Sequence, residues 1–298
     1  MVYEQISANK HKTWFLISLF SIVIVLLGWA FGMWIGDTTT GIFWAVIISV
    51  IMTLIGYYQG DSIALATSGA QPIEKADNPE LYRLVENLAI TAGLPTPKIY
   101  LIPDSAINAF ATGRDPKNAS VAVTTGALQA LDKEELQGVL AHELSHIGNY
   151  DIRVMTMVVV LVGVILLLSD MMTRSFFFGG RRSRDNNDNG GVILIVGIVL
   201  AILSPIFAQL IKLAVSRQRE YLADACGCLL TRYPDGLIRA LEKISAQDQP
   251  MSKANHATAH MFLANPFDPH VTKKFEQLFS THPPIEERIA RLKKAMNE

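Results

Sequence analysis

Charge is scarce in this chain. Only 18% of its 298 residues are Asp, Glu, Lys or Arg, against roughly a quarter in an ordinary soluble domain; half are hydrophobic and the mean hydropathy is +0.28. That deficit points away from a water-soluble globule and toward the bilayer. Neither sign of charge dominates: 26 Lys and Arg stand against 27 Asp and Glu. With no basic stripe interleaved with aromatics, nucleic acid is not expected as a partner. Cysteine is nearly missing. Cys226 and Cys228 are too close for an ordinary disulfide, argue weakly for a reducing compartment, and lack the second pair a cysteine metal site would need. Internal repeats and long low-complexity stretches are absent too, apart from the Gly-, Asn- and Arg-rich "TRSFFFGGRRSRDNNDNGG" at 173–191.

What is abundant is uncharged apolar sequence, in two pairs of runs. Trp14 to Ile35 and Thr40 to Gly60 carry almost no charge and are each long enough to cross about 30 Å of hydrocarbon as a helix. Trp44, Tyr57 and Tyr58 lie near the ends of the second run, as an interfacial belt would. The first run is too long for a signal-peptide core and has no convincing cleavage site, so it reads as an anchor. Val154 to Ser169 is marginal in length, and Val192 to Ile211 is long enough but kinked by Pro205. Lys10, His11 and Lys12 before the first run place the N-terminus in the cytoplasm, and after a hairpin residues 61–153 lie there too. The arginines of 173–191 oppose that rule if the second pair crosses; either that loop is an exception or the second hairpin dips in without crossing. The expected organisation is a transmembrane hairpin at 1–60, a cytoplasmic catalytic part at 61–153, a second hydrophobic hairpin at 154–215 and a second catalytic part at 216–298.

The polar parts have local signals of their own. Asn78 followed by Pro79 starts a helix that Gly93 ends. "KIYLI" at 98–102, "NAFATG" at 108–113 and "ASVAVTT" at 119–125 read as short strands between turn residues. Asp132 with Glu135 three residues later opens another helix in capping-box fashion. The stretch 217–298 is mostly helical in pattern. The fold class expected is therefore a mainly α membrane protein with a small β-sheet.

On the helix after Asp132, His142 and His146 are four residues apart, so both imidazoles leave one face and can share an ion. Glu143, beside the first of them, can reach a water at that ion without ligating it. This is the HExxH arrangement. A catalytic zinc needs three protein ligands and an open position. The best third candidate is Glu220 in "SRQREYLADACG", with Asp224 one turn on able to accept a hydrogen bond from a ligand histidine. The competing reading makes Glu220 and Asp224 solvated partners of Arg217 and Arg219. A second His pair, His256 and His260 in "HATAH", lacks the following glutamate and is not read as reactive.

"HELSHIGNYD", "SRQREYLADA" and "THPPIEERI" together resemble the HtpX family of membrane-integral zinc metalloproteases, relatives of the CAAX prenyl proteases, over nearly the whole chain. The resemblance implies one Zn²⁺ per chain held by His142, His146 and Glu220, Glu143 as catalytic base, Asp224 behind a ligand, and a zincin-like domain in the cytoplasm. It also implies a multi-pass protein of the bacterial inner membrane that acts in stress response on misfolded or damaged membrane proteins. For the oxyanion donor the leading candidate is His282 in "STHPPIEERI", then Tyr221, with Arg288 as an organiser of the site. The run containing Asn108, Ala109 and Phe110 is expected to be an edge strand along which a substrate peptide adds, or else a packed interior strand. Two rival readings are an intramembrane protease and a non-catalytic scaffold with structural zinc. The polar "GNYD" after the histidines, and Lys133, Glu134 and Glu135 before them, favour a site just outside the lipid.

Overall fold

Two long helices occupy the apolar N-terminal region of the computed structural model, which describes residues 2–179, 216–247, 249–254, 257–267 and 283–296. Helix α1 (Val2–Ile35) and helix α2 (Thr38–Thr67) meet at Gly36, whose φ of +81° suits glycine, and Asp37 caps α2 by accepting a hydrogen bond from the Thr40 amide at 3.0 Å. They pack through small residues: a Cβ on Gly41 would lie 2.4 Å from the Gly28 carbonyl oxygen. Their outer faces expose Trp14, Ile22, Phe43, Trp44 and Leu54, side chains that suit lipid rather than water. Ile6–Trp29 and Thr38–Thr67 are, among the described residues, the two single-helix stretches long and apolar enough to span.

A four-stranded sheet follows, built from β1 (Gln71–Pro72), β2 (Lys98–Ile102), β3 (Ala109–Asp115) and β4 (Asn118–Thr124) in the order β1-β2-β4-β3. Strand β2 runs parallel to β4, with Ile99 opposite Val121, and β3 pairs antiparallel on the other side of β4, with Ala111 opposite Val121. Strand β3 is therefore one of the two outer strands, β1 being the other. Strand β3 continues to Asp115, two residues beyond the expected run. Helix α3 (Pro79–Ala92) crosses between β1 and β2; Asn78 caps it through the Leu81 amide, and Gly93 ends it at φ +65°.

A short helix α4 (Thr125–Ala130), not expected from the sequence, leads into α5 (Lys133–Gly148), whose capping box between Asp132 and Glu135 is fully formed. At Tyr150, with φ +61°, the chain bends by 83° into α6 (Asp151–Gly179). The first half of α6 is buried, with Val154, Val158 and Val162 packed on Leu16, Phe20 and Val23 of α1. Three further helices complete the described chain: α7 (Arg217–Thr231), α8 (Pro234–Ser245) and α9 (Ile285–Met296), with a 3₁₀ turn at Ala259–Met261. A single core joins Leu88, Val121, Leu140, Leu144 and Ile147 to Ala240, Ile244 and Leu263, each large side chain stabilising the fold by about 1.5–3 kcal/mol. The run at 192–211 and the loop after Gly179 lie outside the described residues.

Candidate metal centre

Helix α5 brings His142 and His146 to one buried face, and α7 crosses it so closely that a Cβ on Gly227 would lie 3.0 Å from the His142 amide nitrogen. That crossing carries Glu220, in the first turn of α7, to both imidazoles. Nε2 of His142 and Nε2 of His146 are 3.2 Å apart, and the Glu220 carboxylate oxygens lie 3.8 Å from the first and 3.6 Å from the second. All three side chains are buried. Tetrahedral ligands about 2.05 Å from a zinc ion sit roughly 3.3 Å from one another, so the spacing fits such an ion without rearrangement.

The opposite nitrogens show which way the imidazoles are turned. His142 Nδ1 is 2.9 Å from Asp224 and His146 Nδ1 is 3.0 Å from Asp151. A proton on each Nδ1 serves those carboxylates and turns both Nε2 atoms toward one another, where either a proton carried by His146 or a shared cation can be held between them. Asp224 is itself clamped by Arg288, which donates to it through Nε at 2.9 Å and Nη2 at 2.6 Å from a fully buried position. Asp151 takes the Asn9 amide at 2.7 Å and has Arg219 at 3.6 Å.

Charge gives a second, independent fit. Four buried carboxylates, Glu143, Asp151, Glu220 and Asp224, face two buried guanidiniums, Arg219 and Arg288. If the carboxylates are ionised and the imidazoles neutral, the excess is two negative charges, which a divalent cation cancels. Titration reflects the same excess. Burial, with the Glu220 charge behind it, pushes the Glu143 carboxyl up to about 7. Burial works against a charge on His146, but the Asp151 hydrogen bond and the surrounding carboxylates outweigh it and raise the imidazole to about 9. For Asp224 burial is also overridden, by Arg288 and His142, and its carboxyl falls to about 2. His142 is lowered by burial, against the pull of Asp224.

Glu143 follows His142 on α5 and is 1% exposed; the Ala111 backbone hydrogen-bonds to its carboxyl, while its Oε2 is buried with no partner. A buried carboxylate oxygen without a partner is costly, and a water at the ion would satisfy it.

The remaining expected residues fall as follows. Asn108, Ala109 and Phe110 are buried, and it is the next residue, Ala111, whose backbone reaches Glu143. The Asn108 side chain is tied to the Ala264 backbone, donating at 3.0 Å and accepting at 3.2 Å, and Phe110 meets Phe262 edge to face. The outer edge of β3 is not bare: Leu263 donates to the Ala109 carbonyl, and the Gly113 amide donates to Thr156 Oγ1. His282 and His256 lie outside the described residues, while His260 is buried with Nε2 3.0 Å from the Met155 carbonyl. Tyr221 lines a groove of about 840 Å³ with Asp224 and Arg288, and Arg291 sits 3.7 Å above its ring.

Sequence reasoning missed Asp151, Asn9 and Arg219. Asp151 was visible as the acid closing "GNYD", five residues after His146, and was read only as part of a polar helix exit. Asn9 carried no such signal, because it lies in the polar stretch ahead of Trp14, beside Lys10, His11 and Lys12.

The apolar hairpin and the buried His-His-Glu cluster are the parts of a membrane-associated metalloprotein, and the family to which the chain belongs makes it a metalloprotease. The chain belongs to peptidase family M48, whose model matches residues 75–296. It is 49% identical over 295 residues to a protein named Protease HtpX homolog from Caldanaerobacter subterraneus subsp. tengcongensis, covering 98% of this chain and 97% of that one. Another of the same name, from Streptococcus gordonii, is 41% identical over 99% of this chain and all of its own length. Among solved structures, S. mikatae Ste24p shares the fold with a TM-score of 0.52 at 20% identity, over 97% of this chain and 67% of that chain. Family membership and the ligand geometry together imply a metal cofactor.

Proposed function

We infer that the protein is a zinc-dependent endopeptidase, anchored in the bacterial inner membrane, that hydrolyses misfolded or damaged membrane proteins on the cytoplasmic side. The observation that carries the reading is the mutual spacing of His142, His146 and Glu220 with the partnerless Glu143 oxygen beside them. The three side chains would hold one Zn²⁺, which when bound lowers the pKa of a water and polarises a carbonyl. Glu143 would accept the proton of the attacking water at Oε2 and deliver it to the departing amine. Burial raises its carboxyl in the metal-free protein, and the charge of a bound ion would pull it back toward the ionised form that a base needs. Asp224 and Asp151 would keep the ligand imidazoles oriented, and Arg288 would hold Asp224. His282 is proposed as oxyanion donor.

A peptide adding along β3 would have to displace the Leu263–Ala264 segment, which now holds the Ala109 carbonyl and the Asn108 side chain. The two polar stretches 61–153 and 216–298 would act as one catalytic body interrupted by the second apolar pair, 154–215, and follow the hairpin 1–60. Lys10, His11 and Lys12 support the cytoplasmic placement.

Purified Glu143→Gln protein should retain zinc at one ion per chain yet lose about 10²- to 10⁴-fold in cleavage of an unfolded protein substrate. Undiminished cleavage by that variant would remove Glu143 from the chemistry. A wild-type chain that binds zinc but cuts nothing would leave the scaffold reading in its place.

A further inference from the structure

The chain that supports His146 does not stop at Asp151. Asp151 Oδ2 faces the imidazole, while its Oδ1 accepts from Asn9 Nδ2 at 2.7 Å, and Asn9 belongs to α1, the first membrane helix. The same Nδ2 donates to the Asn149 carbonyl at 2.9 Å, so Asn9 holds both the acid and the bend between α5 and α6. Its Oδ1 accepts from Arg219 at 3.4 Å, and Arg219 immediately precedes the ligand Glu220 on α7. Asn9 is 1% exposed, as is Asp151, and Arg219 is 4% exposed. These partners fix the amide's orientation, since a flipped side chain would turn its donors onto Arg219 and its oxygen onto Asp151.

An amide in this position has no local purpose. Burial of a polar side chain is unfavourable unless its hydrogen bonds are made, and each described partner of this amide lies more than a hundred residues away. Asp151 could reach His146 without help, but a carboxylate held only by an imidazole and a guanidinium 3.6 Å off is free to rotate. The amide fixes its rotamer, and with it the angle of the His146 ring.

We propose that Asn9 is a positioning residue of the metal centre: from the first membrane helix it orients Asp151, and through Asp151 the ligand His146. This rests on the zinc-peptidase reading above. It makes the N-terminal helix part of the centre, where membrane attachment alone would not require any contact with a ligand's partner. A shift of α1 in the bilayer would then be felt at the ion.

The test uses the full chain in detergent and reads the metal directly. Zinc affinity is measured by chelator competition, and ligand geometry by the visible absorption of the cobalt-loaded protein. Asn9→Ala should bind zinc about ten- to a hundredfold more weakly, as losses of a partner behind a ligand histidine do, and should shift the cobalt bands. Thr13→Ala is the control: Thr13 is buried one turn further on α1, where its hydroxyl donates to the Asn9 carbonyl and, among the described residues, to nothing else, and this variant should bind zinc as wild type does. In a double-mutant cycle, Asn9→Ala added to Asp151→Asn should cost little more than Asp151→Asn alone, because both act through one path. Should Asn9→Ala not fold, Asn9→Asp keeps the size, removes both donors and carries the same expectation. Unchanged affinity and spectrum in a folded Asn9 variant, or full additivity with Asp151→Asn, would overturn the proposal. Absence of zinc binding by wild type would instead sink the peptidase reading on which it rests.

Discussion

Each imidazole at the centre gives one nitrogen to a carboxylate and the other to the shared space beside Glu220, and this division governs how the site should respond to pH. His146 is raised to about 9 in the metal-free protein, so below that value it holds a proton on the nitrogen that must ligate. Zinc has to expel it. Between pH 7 and 9 the affinity should therefore rise by about tenfold per pH unit, with one proton released per ion, and flatten above 9. Calorimetry in buffers of differing ionisation heat counts that proton; a pH-independent affinity over the same range would show that His146 is not a ligand. The His142, Glu143 and His146 pattern was legible because a helix converts a spacing of four into a shared face. Glu220 was legible only as a candidate, since two readings of its charge competed and only packing decided that it turns inward. Asp151, Asn9 and Arg219 were not legible as a group: their meeting depends on three helices crossing, which no local pattern encodes.

Secondary structure was read well wherever a local rule controls it. The caps at Asn78 and Asp132, the stop at Gly93 and three of the four strands of the sheet all depend on near neighbours in sequence. Helix α4 was missed because six residues are too few to display a period. What local rules leave out is how closely the elements approach, and there glycine decides. Gly227 lets α7 rest on the backbone of α5 at His142 itself, with a prospective Cβ 3.2 Å from the His142 Cα. Gly227→Val should force α7 outward, carrying Glu220 and Asp224 from the histidines, and lower zinc affinity by at least about tenfold; overpacking of this kind costs roughly 1–3 kcal/mol. Gly138 is a contrasting case. A Cβ there would lie 2.6 Å from the Leu237 amide nitrogen, at the contact of α5 with α8. Gly138→Ala should lower the unfolding temperature while the folded fraction binds zinc nearly as tightly as wild type. If both variants lost metal binding in the same proportion as stability, the α5–α7 and α5–α8 crossings would not differ in their bearing on the ligands.

At the scale of the whole molecule, hydropathy located the N-terminal hairpin but could not tell lipid from protein interior. The first half of α6 is as apolar as a membrane span, yet it is packed beneath α1 and beside β3. A buried helix and a lipid-facing one have the same composition when both exclude water. Placement across the bilayer can be measured. From Asn9 to Ile35, α1 rises about 39 Å at 1.5 Å per residue, more than the roughly 30 Å of hydrocarbon. The Gly36–Asp37 turn should thus emerge on the side opposite the metal centre. Cys226 and Cys228, both half-buried, would first be replaced by serine. A cysteine at Glu86, on the outer face of α3, should then react with a membrane-impermeant maleimide only in inverted vesicles, and one at Asp37 only in right-side-out vesicles. Both positions are on the surface, so burial does not confound the result. The reverse pattern would put the catalytic body outside the cytoplasm. Labelling of both from one side would mean that the hairpin lies along the membrane and does not cross it, and the centre would then lack the two-sided anchor on which the cytoplasmic reading depends.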